Sequence, residues 1–243
     1  MPQRHKVAKM HKEKNLRETL RLCVFVAVFC IGRANVGENE NMPLEIEVKF
    51  YVNDRESLRT RILAMGAKSS ERVFEENIRF EDASVSLMQR KALLRLRQDR
   101  KAWLTFKSRP AEQDSQFKIF EELETEVSDF SAMHRILEAL GFHPEQRYEK
   151  WRETFVMGNT HLCLDTMPFG DFLEIEGDKS DIPQLARELD LQWEKRILQN
   201  YLVIFSLLKE KLQLPFADIS FENFQSVDKD MSAFIRECEV GHL

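Results

Sequence analysis

The stretch LEIEVKFYV, Leu44 to Val52, alternates apolar and charged residues without a break up to Phe50. Alternation with period two is the pattern of a β-strand with two unlike faces. One face carries Leu44, Ile46, Val48, Phe50 and Val52, and the other carries Glu45, Glu47 and Lys49. Two carboxylates side by side on one face need a physical reason.

Similar strands recur along the chain. LLRLRQ (93–98) carries Arg95 and Arg97, AWLTFK (102–107) carries Lys107, and FEELETEV (120–127) carries Glu122, Glu124 and Glu126. EKWRETFVM (149–157) carries Lys150 and Arg152, HLCLDT (161–166) carries Asp165, and DFLEIEG (171–177) carries Glu174 and Glu176. A further strand is expected over 72–81, and Gln98–Lys101 reads as a hairpin connection. Helices are expected after Asp54, with apolar Leu58, Ile62, Leu63 and Met65 and a stop at Gly66, and after Asp129, stopped at Gly141. Two more are expected over Pro183–Leu189 and Lys195–Leu212.

A solvated outer face would explain any one of these strands. It explains the set poorly, because within most strands the charge is of one sign. Residues i and i+2 on one face lie about 7 Å apart, and at an effective dielectric near 20 a like-charge pair at that distance costs roughly 2 kcal/mol. A ligand that supplies opposite charge would relieve this. Closing about eight strands into a barrel, charged side inward, leaves room for a small ligand. The fold expected is therefore α+β, a mostly antiparallel closed β-barrel tunnel with flanking amphipathic helices. Glu45, Glu47, Asp165, Glu174 and Glu176 offer hard oxygen ligands suited to Mg²⁺ or Mn²⁺. Lys49, Arg95, Arg97, Lys107, Lys150 and Arg152 offer charge-assisted donors to a polyanion.

Composition is consistent with this. The chain has 243 residues, 43% hydrophobic and 32% charged, and a net charge of −5, which argues against a nucleic-acid binder working by bulk electrostatics. Its four cysteines form no CxxC pair and have no metal-ligand spacing with its six histidines, so a cytoplasmic setting is expected. Residues 1–41 stand apart as an N-terminal extension. Basic residues from Arg4 to Arg21 precede the apolar run Leu22–Ile31, which is too short to span a bilayer. Met42 is the expected natural start, with a signal or anchor segment as the alternative. The core, expected over 42–214, needs no membrane, and the tail 215–243 is weakly patterned.

In order and spacing, EIEVKF with the later LRLR, LTFK, EELETEV, KWRETF, LCLD and GDFLEIEG resembles the CYTH superfamily, the triphosphate tunnel metalloenzymes. The resemblance covers about 42–212 and implies an antiparallel tunnel that binds a triphosphate and one or two divalent metals. It implies that Glu45, Glu47, Asp165, Glu174 and Glu176 hold metal, and that Lys49, Arg95, Arg97, Lys107 and Arg152 hold phosphate, with Lys150 beside them. Glu45, Glu47 and Lys49 are then the catalytic set, and Glu122, Glu124 and Glu126 are additional lumen acids. The reaction implied is hydrolysis of inorganic triphosphate, ATP or thiamine triphosphate, with cyclisation of ATP to cyclic AMP as the alternative. A non-catalytic polyphosphate binder is disfavoured by so many carboxylates, and an RNA-contacting sheet by the acidic balance. His161 reads as structural, Cys163 as a lumen residue without a catalytic partner, and Tyr201 as core.

Overall fold

In a computed structural model of the chain, the residues described are 42–111 and 114–242. The readings of residues 1–41 fall outside them. The alternating runs become β1 (Leu44–Val52), β3 (Val73–Asp82), β4 (Leu93–Gln98), β5 (Ala102–Ser108), β6 (Lys118–Val127), β7 (Phe142–Met157), β8 (Thr160–Met167) and β9 (Gly170–Glu176). Every pairing among them is antiparallel, and the order β1-β6-β5-β4-β3-β7-β8-β9 closes on itself through β1 and β9. This is the expected closed, eight-stranded barrel. The two-residue strand β2 (Lys68–Ser69) pairs with β7 on the edge that β3 occupies further along.

Burial follows the pleat. Ile46, Val48, Phe50 and Val52 point outward from β1 into a core shared with α1 (Arg55–Ala64) and α4 (Asp181–Glu188). Asp54 caps α1 by accepting from the Ser57 amide at 3.0 Å, and Gly66 ends it with φ 86°. Asp129 likewise caps α3 (Phe130–Ala139), whose Leu137 packs with Ile78, Phe80 and Leu96 on the outer face of β3 and β4. The short α2 (Ser86–Gln89) follows β3.

Three expectations require correction. First, β7 begins seven residues before the Glu149 expected for it. Pro144 and the polar run around it conceal a strand that tolerates the proline because its pairing with β3 shifts register between Arg79 and Phe80. Second, β6 starts at Lys118, two residues before Phe120, which places Lys118 opposite Glu47. Third, Lys195–Leu212 is not one helix. Arg196–Ile197 form β10, which pairs with Lys49 and Phe50 along the edge of β1 beyond the reach of β6. The helix α5 (Tyr201–Leu212) starts only after Asn200, whose side chain accepts from the Val203 amide at 2.9 Å.

The tail also takes a defined place. Ile219 bridges Tyr148 of β7, and α6 (Phe221–Phe224) and α7 (Ser232–Arg236) bring Phe224 and Ile235 into a core with α5. That core includes Met167 and Phe172, which share the inner faces of β8 and β9 with Asp165 and Glu174. One end of the barrel interior is therefore packed with apolar side chains, and the charged residues occupy the rest. Ile235 is fully buried, so Ile235→Ala should lower stability by about 2–4 kcal/mol. Urea unfolding checks this, and an unchanged midpoint would mean that the tail contributes nothing to the fold.

Candidate functional site

The inward faces line a cavity of about 660 Å³, within the size range of small-ligand sites. Register places the charges. Lys49 stands opposite Glu174, Glu47 stands opposite both Lys118 and Glu176, and Lys107 stands opposite Glu122. Same-sign residues along one strand thus meet opposite sign on a neighbour. Lys49 and Arg152 both pair with Glu174, Lys118 pairs with Glu47, and Lys107 bridges Glu45 and Glu122. Arg95 and Arg97 reach Glu124 at 3.4 and 3.3 Å. The repulsion inferred within single strands is relieved largely by the protein itself, because closure of the barrel brings unlike strands together.

Relief is incomplete at one place. Glu45, Glu47 and Glu176 lie close together, and Glu47 and Glu176 face each other as a like-charged cross-strand pair. Burial, then Glu45 and Glu47, push the Glu176 carboxyl up to about 7. Burial and Glu47 also raise Glu45 despite Lys107. At Glu47 burial is outweighed by Lys118, and at Glu174 by Lys49 and Arg152, so both of those carboxyls are held low. Negative charge is therefore in excess at Glu45 and Glu176 and compensated at Glu174.

The donor chemistry here fits a hard divalent cation, since buried carboxylates in mutual repulsion gain most from one. Glu45 and Glu47 are drawn onto Lys107 and Lys118, and among the described residues no three acids are gathered into a ready-made cage. A cation would have to displace these lysines.

Asp165 is placed differently from the other acids. Fully buried and outside the cavity lining, it accepts from Arg152 at 2.6 Å through both oxygens, from Lys150 at 3.0 Å and from the Tyr201 hydroxyl at 2.9 Å. Its bonds orient Lys150 and Arg152: Oδ2 accepts from Lys150, Arg152 and Tyr201, and Oδ1 from Arg152 alone. Glu126 also falls outside the lining, paired with Lys101 at 2.7 Å on an exposed flank. Glu122 and Glu124 do line the cavity.

Other residues enter that the sequence reading left out. Lys118 is one. The inner face of β3 adds Glu75, Asn77 and Arg79, and Lys150 holds Glu75 down at about 2 against the effect of burial. Asn77 is buried with neither amide atom partnered, and Arg95 Nε also lacks a partner. A buried polar group left unsatisfied costs about 1–3 kcal/mol, so the Arg95 donor on the cavity wall suits a ligand oxygen, whereas Asn77 lies outside the lining and suits an internal water. The strand over 72–81 is expected, but Glu75, Asn77 and Arg79 on its inner face carry no single-sign charge to mark them. Tyr201 belongs to the core yet also lines the cavity, with Lys49 Nζ 4.1 Å from its ring centroid. His161 is exposed at the cavity wall. Cys163 faces the lumen as expected, and burial raises its thiol to about 12, so it stays protonated.

A closed antiparallel barrel with an inward array of acids and bases defines the class of charged-lumen tunnel proteins. The CYTH domain family model matches residues 43–200, and the chain belongs to that family. The chain is 27% identical over 153 residues to a Methanocaldococcus jannaschii protein named "Putative adenylate cyclase", covering 62% of this chain and 86% of that one. Among solved structures it is similar to the PH1012 protein of Pyrococcus horikoshii, with 30% identity, TM-score 0.55, and coverage of 65% and 96% of the two chains. It shares its fold with a Hippeastrum protein named "Putative adenylyl cyclase" and described as having a dominant triphosphatase activity (19% identity, TM-score 0.51, 68% and 95% covered). No helix among the described residues is long and apolar enough to cross a membrane.

Two predictions follow from the charge distribution. Because Glu176 has a raised pKa in the folded state, its protonation stabilises the fold below about pH 4.5, and that contribution is lost as pH rises through about 7. Its loss amounts to at most on the order of 3 kcal/mol. In chelator-treated protein, Glu176→Gln should remove this decline, so the variant gains on wild type between pH 5 and pH 8 in urea unfolding. Parallel pH profiles would show that Glu176 is not strained. In contrast, Asp165→Asn should destabilise by about 3 kcal/mol, since it removes the charge on which Lys150 and Arg152 converge and leaves them only Glu75 and Glu174. Under folded conditions it should leave Mn²⁺ affinity within about threefold, and a larger loss by calorimetry would return Asp165 to the metal set.

Proposed function

We propose that this protein is a divalent-metal-dependent triphosphatase acting in the barrel lumen. The observation that carries the reading is the pairing of an acid cluster, Glu45, Glu47 and Glu176, under-compensated at Glu45 and Glu176, with a wall of cations on β3 to β5 that includes the unpartnered Arg95 Nε. Carboxylates alone would suit a cation, and cations alone an anion. Both together suit a polyphosphate with its counter-ion. The Hippeastrum protein's described activity and the family's tunnel agree with this.

Glu45, Glu47 and Glu176 would hold Mg²⁺ or Mn²⁺. A divalent cation bound there supplies Lewis-acid polarisation and neutralises charge on the phosphoryl group being transferred. Lys107 and Lys118, released from their carboxylates, would turn to phosphate oxygens, beside Lys49, Arg95 and Arg97. Arg152 and Lys150 are held in orientation by Asp165, so their donors are preorganised and little is lost in fixing them when substrate arrives. Phosphoryl transfer to water needs no more than this positioning and charge neutralisation. The name of the archaeal relative supports a second reading, cyclisation of ATP, which would use the same acids and cations.

Purified full-length chain should release orthophosphate from inorganic triphosphate and from ATP with Mg²⁺ or Mn²⁺, and form no cyclic AMP above background. Glu45→Gln/Glu47→Gln should lose at least about a hundredfold in turnover, an expectation for removing charge stabilisation at a transferring group. Arg97→Lys should recover only part of an Arg97→Ala loss in KM, because an ammonium cannot hold two oxygens at once. Cyclic AMP formed in balance with pyrophosphate, with inorganic triphosphate left intact, would favour the cyclase.

A further inference from the structure

One polar pair in the lumen stands outside the network of charge pairing. Glu45, Glu47 and Glu174 are each held by a lysine, Lys107, Lys118 and Lys49 respectively. Glu176 has no hydrogen bond or ion pair to any described residue, and neither has His161, its direct cross-strand partner on β8. Both line the cavity, together with Glu45 and Glu47.

Register brings His161 to the acid cluster. In one row across the sheet, Val156 of β7 faces His161, His161 faces Glu176, and Glu176 faces Glu47. Directly opposed residues on one face have Cβ atoms about 4.5–5.5 Å apart. Val156 offers the ring nothing polar. Of the diagonal neighbours, Glu174 is engaged by Lys49 and Arg152, and the Thr154 hydroxyl contacts Cys163 Sγ at 3.8 Å. That leaves the Glu176 carboxylate as the polar group His161 meets. Elsewhere in the chain a histidine beside a carboxylate closes on it: His134 lies 3.4 Å from Glu138, and His143 lies 3.4 Å from Glu145. His161 and Glu176 do not close, and stand as a nitrogen donor and an oxygen donor open to the same cavity.

We propose that His161 joins Glu176 as a ligand of the divalent cation assigned above to the acid cluster, so that the site selects Mn²⁺ over Mg²⁺. The inference rests on that cluster binding metal. Mg²⁺ is bound through oxygen and sheds its waters reluctantly, whereas an imidazole nitrogen suits first-row transition cations. Carboxylates alone would take either ion, and a nitrogen donor among them favours the transition metal. The exposure of His161 fits this role, because the ring can turn toward a cation without disturbing any packed core. Unlike Glu45 and Glu47, neither His161 nor Glu176 has to be freed from a lysine first.

The test uses the full chain without substrate. Mn²⁺ bound to wild type should show nitrogen modulation of its electron spin echo that changes when the histidines are labelled with ¹⁵N. His161→Gln should lose that modulation. Its preference for Mn²⁺ over Mg²⁺, measured by calorimetry, should fall about tenfold, the scale of loss when one group supporting a metal is removed. Bound Mn²⁺ without histidine coupling, coupling that persists in His161→Gln, or equal weakening of both ions would overturn the role of His161 and leave the metal site standing. No binding of Mn²⁺ to wild type would overturn both. Histidine-coupled Mn²⁺ in a chain that releases no orthophosphate from any triphosphate would remove the triphosphatase reading and leave His161 as a ligand.

Discussion

Everything in this structure depends on keeping a closed barrel full of charge. Lys49 is almost wholly buried and Asp165 completely so, along with Glu47, Glu75 and Lys150. An isolated buried charge is prohibitively expensive, and one left without its partner typically costs several kcal/mol. The fold meets this through register. Lys49 meets Glu174, Lys118 meets Glu47, and Lys150 and Arg152 converge on Asp165. The Asp165 pairs lie within one hairpin, but Lys49–Glu174 and Lys118–Glu47 join residues far apart in sequence and form only where β1 meets β9 and β6 to close the ring.

That constraint divides the apolar material. The outward faces of β1, β8 and β9 form one core with α1 and α4, and β3 and β4 form another with α3. The third core lies at the end of the barrel interior and uses α5 and the tail. It closes off the lumen near Asp165, where Tyr201 belongs to both worlds: its ring packs on Phe172 and its hydroxyl donates to Asp165. The tail is thus bound to the same feature that orients Lys150 and Arg152, although it lies beyond the stretch matched by the CYTH family model.

The lumen balances its charge almost everywhere, and the exception marks the chemistry. Pairing is complete around Glu174 and Asp165 and deficient around Glu45 and Glu176. Full compensation would make a stable but inert interior. The acid cluster retains a demand for positive charge, and the unpartnered Arg95 Nε on the cavity wall retains a demand for a hydrogen-bonding oxygen. The polyphosphate with its counter-ion proposed above would meet both.

The sequence by itself determined the strands, their two faces, the helix caps at Asp54 and Asp129, and the closed barrel with its charge inside. These are local matters: period two fixes which side chains share a face, and capping residues act within one turn. The inward direction of Glu45, Glu47, Lys49, Arg95, Arg97 and Lys107 was legible for that reason. Tertiary structure alone decided which charges neutralise each other, because cross-strand partners are set by register and barrel closure. Hence Asp165 became an anchor for Arg152 and Lys150, Glu126 fell outside the lining, and Lys118 arrived opposite Glu47. Tertiary structure likewise decided the path of 142–148 and 193–200. There the free edge of β1, and a register shift that admits Pro144, outweighed what local pattern suggested.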